Sequence, residues 1–149
     1  MQIVYNQDLL KTKDDYDFIG IPTNSVILTN GCLCMGAGFA AQCLAAYPSI
    51  DWEAAQAIVH RREYGAIWLP SHSHYKEFFL FQTKRHFSEK SDLSLITKST
   101  KTLNAWARIR PEMRFAMPYP GIGCGGLARD KVEEIVCKLP ENVTLFIKE

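Results

Sequence analysis

Residues 30–40 decide the fold, because they read as a glycine-rich turn that feeds directly into a helix: Asn30-Gly31-Cys32-Leu33-Cys34-Met35-Gly36-Ala37-Gly38-Phe39-Ala40. The apolar run before it, residues 26–29, predicts a buried strand, and the alanine-rich residues 39–46 predict a helix that ends near Pro48. Glycine lets backbone N–H groups approach a phosphate closely. A helix N-terminus adds free donors and a favourable dipole, so the segment suits an anionic ligand.

A second segment has the same character: Pro120-Gly121-Ile122-Gly123-Cys124-Gly125-Gly126-Leu127. Two such loops at the carboxyl ends of neighbouring strands would form the crevice where α/β sheets bind ligands, and two loops suit the two phosphates of a pyrophosphate. Either loop alone could be a turn that only changes the chain direction. Neither matches a Walker loop or the Rossmann fingerprint, which disfavours kinases, GTPases and Rossmann dehydrogenases. The pyrophosphate interpretation requires the turns around Gly36 and Gly123 to face each other.

The rest of the chain alternates short β-like runs with helical stretches, which predicts an α/β layer fold. The predicted strands are residues 2–6, 26–29, 65–69, 78–81, 114–117 and 143–147. The predicted helices are residues 39–46, residues 51–62 with Asp51 as N-cap, a helix that begins at Ser91 or Asp92, and residues 130–139. Together they indicate one sheet between helical layers.

Composition and charge indicate an ordinary globular domain. The chain has 149 residues, 47% of them apolar and 22% charged. A net charge of +1 argues against broad electrostatic capture of nucleic acid. No apolar run approaches the roughly 20 residues that cross a bilayer, and the first residues lack the layout of a signal peptide. We therefore expect a cytoplasmic protein without a membrane partner.

The five cysteines are an odd number without disulfide-framework spacing, so we expect them to be mostly core-filling thiols in a reducing compartment. Cys32 and Cys34, with His72 and His74, are the one combination that suggests zinc. Structural zinc sites usually space their cysteines by two to four residues, so no metal and no cofactor are expected.

Four motifs in register resemble those of the macro domain family. Residues 6–10, NQDLL, resemble its Gly-Asp-Leu/Ile opening, residues 28–40 its Val-Asn-x-x-Asn and Met-Gly-x-Gly-Ile-Ala segment, and residues 118–126 its Ile-Pro-x-Ile-Gly-Cys-Gly loop. Residues 83–87, TKRHF, resemble the Thr-Lys-Arg-His-Trp stretch of the branch with the DNA ADP-ribosyl glycohydrolase antitoxins and terminal ADP-ribose protein glycohydrolases. The resemblance implies a single three-layer α/β/α macro domain over residues 1–149, with a mixed central sheet of about six strands.

The resemblance also implies a role for each matching position. Asp8 would accept a hydrogen bond from the adenine amino group, with the Leu9 backbone beside it, and Asn30 would contact the distal ribose. Lys84 matches the lysine that the branch uses in catalysis, as a Schiff-base nucleophile or as an electrostatic and acid participant. The two loops would wrap the ribose and diphosphate with Met35, Gly36, Ala37, Gly38 and Phe39 on one side and Gly121, Ile122, Gly123, Cys124 and Gly125 on the other.

Simpler roles remain open at two of these positions, and the sequence departs from the branch pattern at two others. Asp8 could cap a turn, and Lys84 could be a solvated lysine, since a lysine nucleophile needs burial or a neighbouring cation. The second loop has no acid at the position where the branch's protein glycohydrolases have one. The next acid along the chain is Asp130, which comes later. Ile27 stands where the family has its first asparagine.

We therefore expect a protein that binds ADP-ribose or a related NAD-derived nucleotide and hydrolyses an ADP-ribosyl linkage on DNA or protein, as a monomer. Lys84 and Asn30 would act at the distal ribose. An ADP-ribose 1″-phosphate phosphatase is the nearest enzymatic alternative. A non-catalytic reader or nucleotide-sequestering binder is favoured by the missing acid, whereas the TKRH motif at 83–86 favours the enzyme. The cluster of Lys84, Arg85, His86 and Lys90 leaves nucleic-acid recognition open.

Overall fold

The structure, a computed structural model, describes residues 1–69 and 77–149. Its six strands are β1 (Gln2–Tyr5), β2 (Phe18–Thr23), β3 (Ala66–Trp68), β4 (Glu77–Gln82), β5 (Phe115–Pro118) and β6 (Val143–Ile147). They form one sheet in the order β1-β6-β5-β2-β4-β3. All neighbouring pairs are parallel except β3 with β4, which is antiparallel. The predicted mixed sheet is confirmed.

The helices are a 310 helix (Leu9–Asp15), α1 (Gly38–Ala46), α2 (Ile50–Arg61), α3 (Leu93–Ile109) and α4 (Arg129–Val136). Asp92 is the N-cap of α3, as one of the two alternatives predicted, and its Oδ1 accepts from the N–H of Ser94 at 2.8 Å. Asp51 lies inside the first turn of α2, because the helix begins one residue earlier with Ser49 as its cap.

The period of two along β4 assigns its side chains to two cores. Phe78 and Leu80 lie in the core against α1 and α2, whereas Phe79 and Phe81 lie in the core against α3 and α4. The sheet is therefore covered on both faces, and the predicted three-layer α/β/α arrangement is confirmed.

One predicted strand is wrong. Residues 26–29 contribute only an isolated bridge between Ile27 and Leu33, and Ile27 and Leu28 are exposed. The second strand of the chain is instead β2, which begins at Phe18, eight residues before the predicted start. The prediction followed apolar and β-branched residues, whereas β2 carries a glycine and a proline that weaken the strand signal.

Candidate functional site

The site lies where parallel strands end. The carboxyl ends of parallel strands meet at one edge of a sheet, so the residues that follow β1, β2, β4, β5 and β6 come together there. They line a cavity of about 630 Å³, which is the size of a small-molecule site. Its lining includes Asp8 after β1, Asn24 after β2, Lys84 after β4, Tyr119 after β5 and Lys148 after β6.

The two glycine loops face each other across this cavity. A Cβ placed on Gly38 would lie 3.6 Å from the Sγ of Cys124, so the two loops approach each other closely at this point. A Cβ placed on Gly36 or Gly123 would meet no described atom within 4 Å. These two backbones therefore border open space. The arrangement required by the pyrophosphate interpretation is present.

The second loop is a preformed turn. Gly121 has φ +79°, and a Cβ there would lie 2.7 Å from Cδ1 of Ile96. The N–H of Leu127 donates to the carbonyl of Gly121 at 2.9 Å, and the N–H of Ser91 donates to the carbonyl of Gly125 at 2.8 Å. The loop is thus closed on itself and fastened to the residues before α3.

Lys84 enters the cavity from the end of β4, and its Nζ donates to the main-chain carbonyl of Cys124 at 3.0 Å. The backbone of Thr83 and Lys84 is held by two hydrogen bonds. The N–H of Thr83 donates to the carbonyl of Thr23 at 2.8 Å, and the hydroxyl of Ser25 donates to the carbonyl of Lys84 at 2.9 Å. The lysine that the resemblance singles out therefore has a fixed backbone, and its ammonium is hydrogen-bonded to the second loop inside the site.

Asp8 has the capping geometry and also lines the cavity. Its Oδ1 accepts from the N–H of Leu10 at 3.0 Å, which makes it the N-cap of the 310 helix. Asp8 and Leu9 both border the cavity. The turn-capping alternative from the sequence is therefore correct without removing the residue from the site.

The structure brings the predicted site residues together with one exception. Those that line the cavity are Asp8, Leu9, Met35, Gly36, Ala37, Gly38, Phe39, Lys84, Gly121, Ile122, Gly123, Cys124 and Gly125. Asn30 does not line it. Asn30 is exposed in the turn of residues 28–31, where its Oδ1 accepts from the N–H of Cys32 at 3.0 Å.

Asn24 occupies the strand-end position that the sequence interpretation gave to Asn30. It follows β2 directly and lines the cavity. Its Nδ2 donates to the carbonyl of Cys34 at 2.9 Å and its Oδ1 accepts from the N–H of Val26 at 3.0 Å, so the side chain is fixed between both ends of the loop. Sequence reasoning missed Asn24 because it missed β2. An asparagine directly after a buried parallel strand is the signal that would have found it.

Several further residues of the cavity wall had little or no sequence signal. Phe146 lies in the core and packs edge-on against Tyr16 at 5.7 Å, yet it also borders the cavity. Burial raises the pKa of the Tyr119 phenol, with Glu133 adding to the effect. Thr23 and Ser91 line the cavity, and their hydroxyl oxygens are buried without a hydrogen-bond partner among the described residues. Buried polar atoms usually have a partner, so these two hydroxyls are among the exceptions in the described part of the chain.

The cysteines and histidines of the described residues form no metal-binding cluster. His72 and His74 lie outside the described residues, and over 1–69 and 77–149 no group of three or more His, Cys, Asp or Glu side chains is placed to hold a metal ion. Burial raises the pKa of the Cys43 thiol to about 12. Cys124 is exposed at the cavity, and Cys34 also lines it.

No carboxylate of the second loop reaches the cavity. Asp130 is exposed in the first turn of α4 and is not part of the cavity wall. The preceding Arg129 turns to the sheet edge, where its guanidinium donates to the Tyr5 hydroxyl at 2.9 Å and lies 5.5 Å from the centre of the Tyr119 ring. The second loop lacks an acid in the sequence, and Asp130 does not supply one to the cavity.

No protein-family model and no curated protein matches this sequence. Solved structures do match it. DarTG of Thermosipho africanus, solved in complex with ADP-ribose, matches 99% of this chain with a TM-score of 0.76 and 19% identity, and this chain spans 42% of that one. The DarG macrodomain of Thermus aquaticus matches 99% of this chain and 97% of its own with a TM-score of 0.75 and 22% identity. The DarG macrodomain of Mycobacterium tuberculosis matches 97% and 96% with a TM-score of 0.70 and 25% identity.

The chain therefore has the macro domain fold, with the cavity at the carboxyl ends of its parallel strands. Among macro domains it resembles those of DarG. Of the helices in the described parts of the chain, none combines the length and apolar character needed to span a bilayer.

Proposed function

We propose that this protein binds ADP-ribose in the cavity between its two glycine loops and hydrolyses an ADP-ribosyl linkage on nucleic acid or protein. One observation carries the binding part. The open backbones of Gly36 and Gly123 border the cavity between two loops that approach each other at Gly38 and Cys124. A diphosphate in that cavity would receive backbone N–H groups from both sides, including the N-terminal end of α1.

The ends of the cavity suit the two ends of ADP-ribose. Asp8, Leu9 and Phe146 all line the cavity, so an adenine there would find apolar surface and an acceptor for its amino group. At the Lys84 end, a cation and the Asn24 amide border the cavity. Charge placed in advance near an anomeric carbon stabilises the charge that develops during cleavage, so catalysis by positioning and electrostatics is the expected mode.

Calorimetry tests the binding part, with AMP and ADP as comparators. We expect ADP-ribose to bind more tightly than either, because only ADP-ribose fills both ends of the cavity. Equal or absent heats would overturn the proposal. Product analysis on ADP-ribosylated DNA, ADP-ribosylated protein and ADP-ribose 1″-phosphate then identifies the linkage.

A non-catalytic reader is the second candidate function, and the position of Asp130 favours it. With this residue exposed on α4, no acid of the second loop assists Lys84. Tight binding of ADP-ribose without product from any of the three substrates would establish the reader. We also propose that residues 1–149 act as one macro domain and as a monomer, which size-exclusion chromatography with light scattering tests.

A further inference from the structure

We propose that Gln82 and Ser25 are positioning residues that fix Lys84 for catalysis through a relay of hydrogen bonds. This inference rests on the proposed hydrolase function, because it assigns to Lys84 the role at the distal ribose. Gln82 is the last residue of β4 and is 1% exposed. Glutamine is mostly found exposed, so a fully buried one needs a reason.

The orientation of each group in the relay is determined by its partners. The N–H of Gly65 can only donate, and it lies 3.0 Å from Oε1 of Gln82. The amide nitrogen of Gln82 therefore points the other way, and it donates to the hydroxyl of Ser25 at 3.1 Å. The carbonyl of Lys84 can only accept, so the Ser25 hydroxyl donates its proton there, at 2.9 Å.

The relay joins three segments that are far apart in the sequence. It begins at Gly65 before β3, passes through the end of β4 and the residue after Asn24, and ends on the backbone of Lys84. The hydroxyl of Ser25 is used once as acceptor and once as donor, so it has no spare proton for substrate. Its proposed function is to hold the backbone of Lys84, from which the lysine side chain enters the cavity.

The expected effect is on turnover rather than on binding. Ser25→Ala removes the hydroxyl that holds the Lys84 carbonyl, and a displacement of about 1 Å at a reacting group can cost on the order of 100-fold in rate. We expect kcat to fall by about 10- to 100-fold, with KM and the affinity for ADP-ribose nearly unchanged. Ser25→Thr keeps the hydroxyl and should restore most of the rate.

Ser99→Ala is the matched control. The Ser99 hydroxyl is also buried and donates to a main-chain carbonyl, that of Gln82, at 2.8 Å, but it is not a link in the relay. Ser99→Ala should lose about as much thermal stability as Ser25→Ala while keeping the kcat of the wild type. If the kcat of Ser25→Ala falls no further than that of Ser99→Ala, or falls together with the affinity for ADP-ribose, the relay has no positioning role.

A second readout does not need activity. In protein with 13C-labelled lysine side chains, the Lys84 signal is assigned as the one that Lys84→Arg removes. We expect this signal to shift or broaden in Ser25→Ala and to stay unchanged in Ser99→Ala. An unchanged signal in both variants overturns the relay, whatever the activity. Absence of product from the wild type overturns the proposed hydrolase function instead, and the spectra still decide the relay.

Discussion

The ammonium of Lys84 and the carbonyl of Cys124 connect the ends of two strands that are not neighbours in the sheet, with 3.0 Å between Nζ and O. β2 lies between β4, which leads to the lysine, and β5, which leads to the loop. The hydrogen bond therefore passes across the end of β2, which Asn24 follows. It orients the lysine toward the second loop, beside the place proposed for the distal ribose.

Lys84→Ala separates catalysis from binding. Loss of a positioned acid or base group costs about 10²- to 10⁴-fold in rate, so kcat should fall by this amount while calorimetry finds little change in ADP-ribose affinity. Lys90→Ala is the matched control, since Lys90 is an exposed lysine of the same segment outside the cavity wall. Full activity in Lys84→Ala would contradict the catalytic role.

Alanine in the glycine loops should act in two different ways. In Gly123→Ala the new methyl points into open cavity space, so we expect normal stability and at least roughly 10-fold weaker ADP-ribose binding. In Gly121→Ala the residue must keep φ +79° and contact Ile96, which should destabilise the fold by about 1–3 kcal/mol. Thermal unfolding and calorimetry on both variants check this, and unchanged binding in Gly123→Ala would contradict the diphosphate site.

Substitution of Asp8 should separate its two roles. Asp8→Ser keeps an oxygen able to cap the 310 helix, whereas Asp8→Ala loses the cap at a cost of about 1 kcal/mol. Both should weaken ADP-ribose, because both lose the carboxylate proposed to accept from the adenine amino group. The hypoxanthine analogue of ADP-ribose lacks that amino group, so its affinity should change much less. Equal losses for the two ligands would contradict the assignment.

Acid should remove the contribution of Asp92 to stability. The hydrogen bond from Ser94, helped by Arg85, lowers the pKa of Asp92 from its ordinary value of 3.8 to about 2. A lowered pKa in the folded state means that the contribution is fully present above pH 3.8 and is lost as the pH falls toward 2. The difference in Tm between wild type and Asp92→Asn should be constant near neutral pH and shrink across that window. A difference that persists below it would contradict the assignment.

Thiol labelling should report occupancy of the site. At about pH 8 an alkylating reagent should modify the exposed Cys124 and Cys137 but not Cys43, whose thiol is buried with a pKa of about 12. Saturating ADP-ribose should protect Cys124, which borders the cavity, and leave Cys137 reactive. Peptide mass analysis measures both. Equal labelling of Cys124 with and without ligand would place the ligand elsewhere.

Local sequence signals predicted the elements whose residues agree with their environment. The run of phenylalanines in β4 is buried on both faces, and the Asp92 cap and apolar spacing of α3 act within the helix itself. β2 could not be predicted this way. A Cβ on Gly20 would lie 2.5 Å from the Phe79 ring, so glycine is required by a residue of another strand. Pro22 lacks an N–H, and it is tolerated because it lies beyond the stretch of β2 that pairs with β5.

The wrong assignment of one strand also led to the wrong asparagine in the predicted site. With residues 26–29 taken as the strand, Asn30 became the strand-end asparagine, whereas Asn24 holds that position. The glycine loops were predictable because their residues act through their own backbone. The relay from Gly65 through Gln82 and Ser25 was not, since it depends on contacts between segments that only the folded sheet brings together.

The closed turn of residues 121–127 also has a kinetic consequence. A loop already bonded to itself and to Ser91 has little conformational freedom left to lose when a nucleotide arrives. Association would then be governed by diffusion and by electrostatic attraction of the ligand, with no slow loop rearrangement before capture. The residence time of the nucleotide, rather than its rate of arrival, would carry most of the difference between strong and weak variants of this loop.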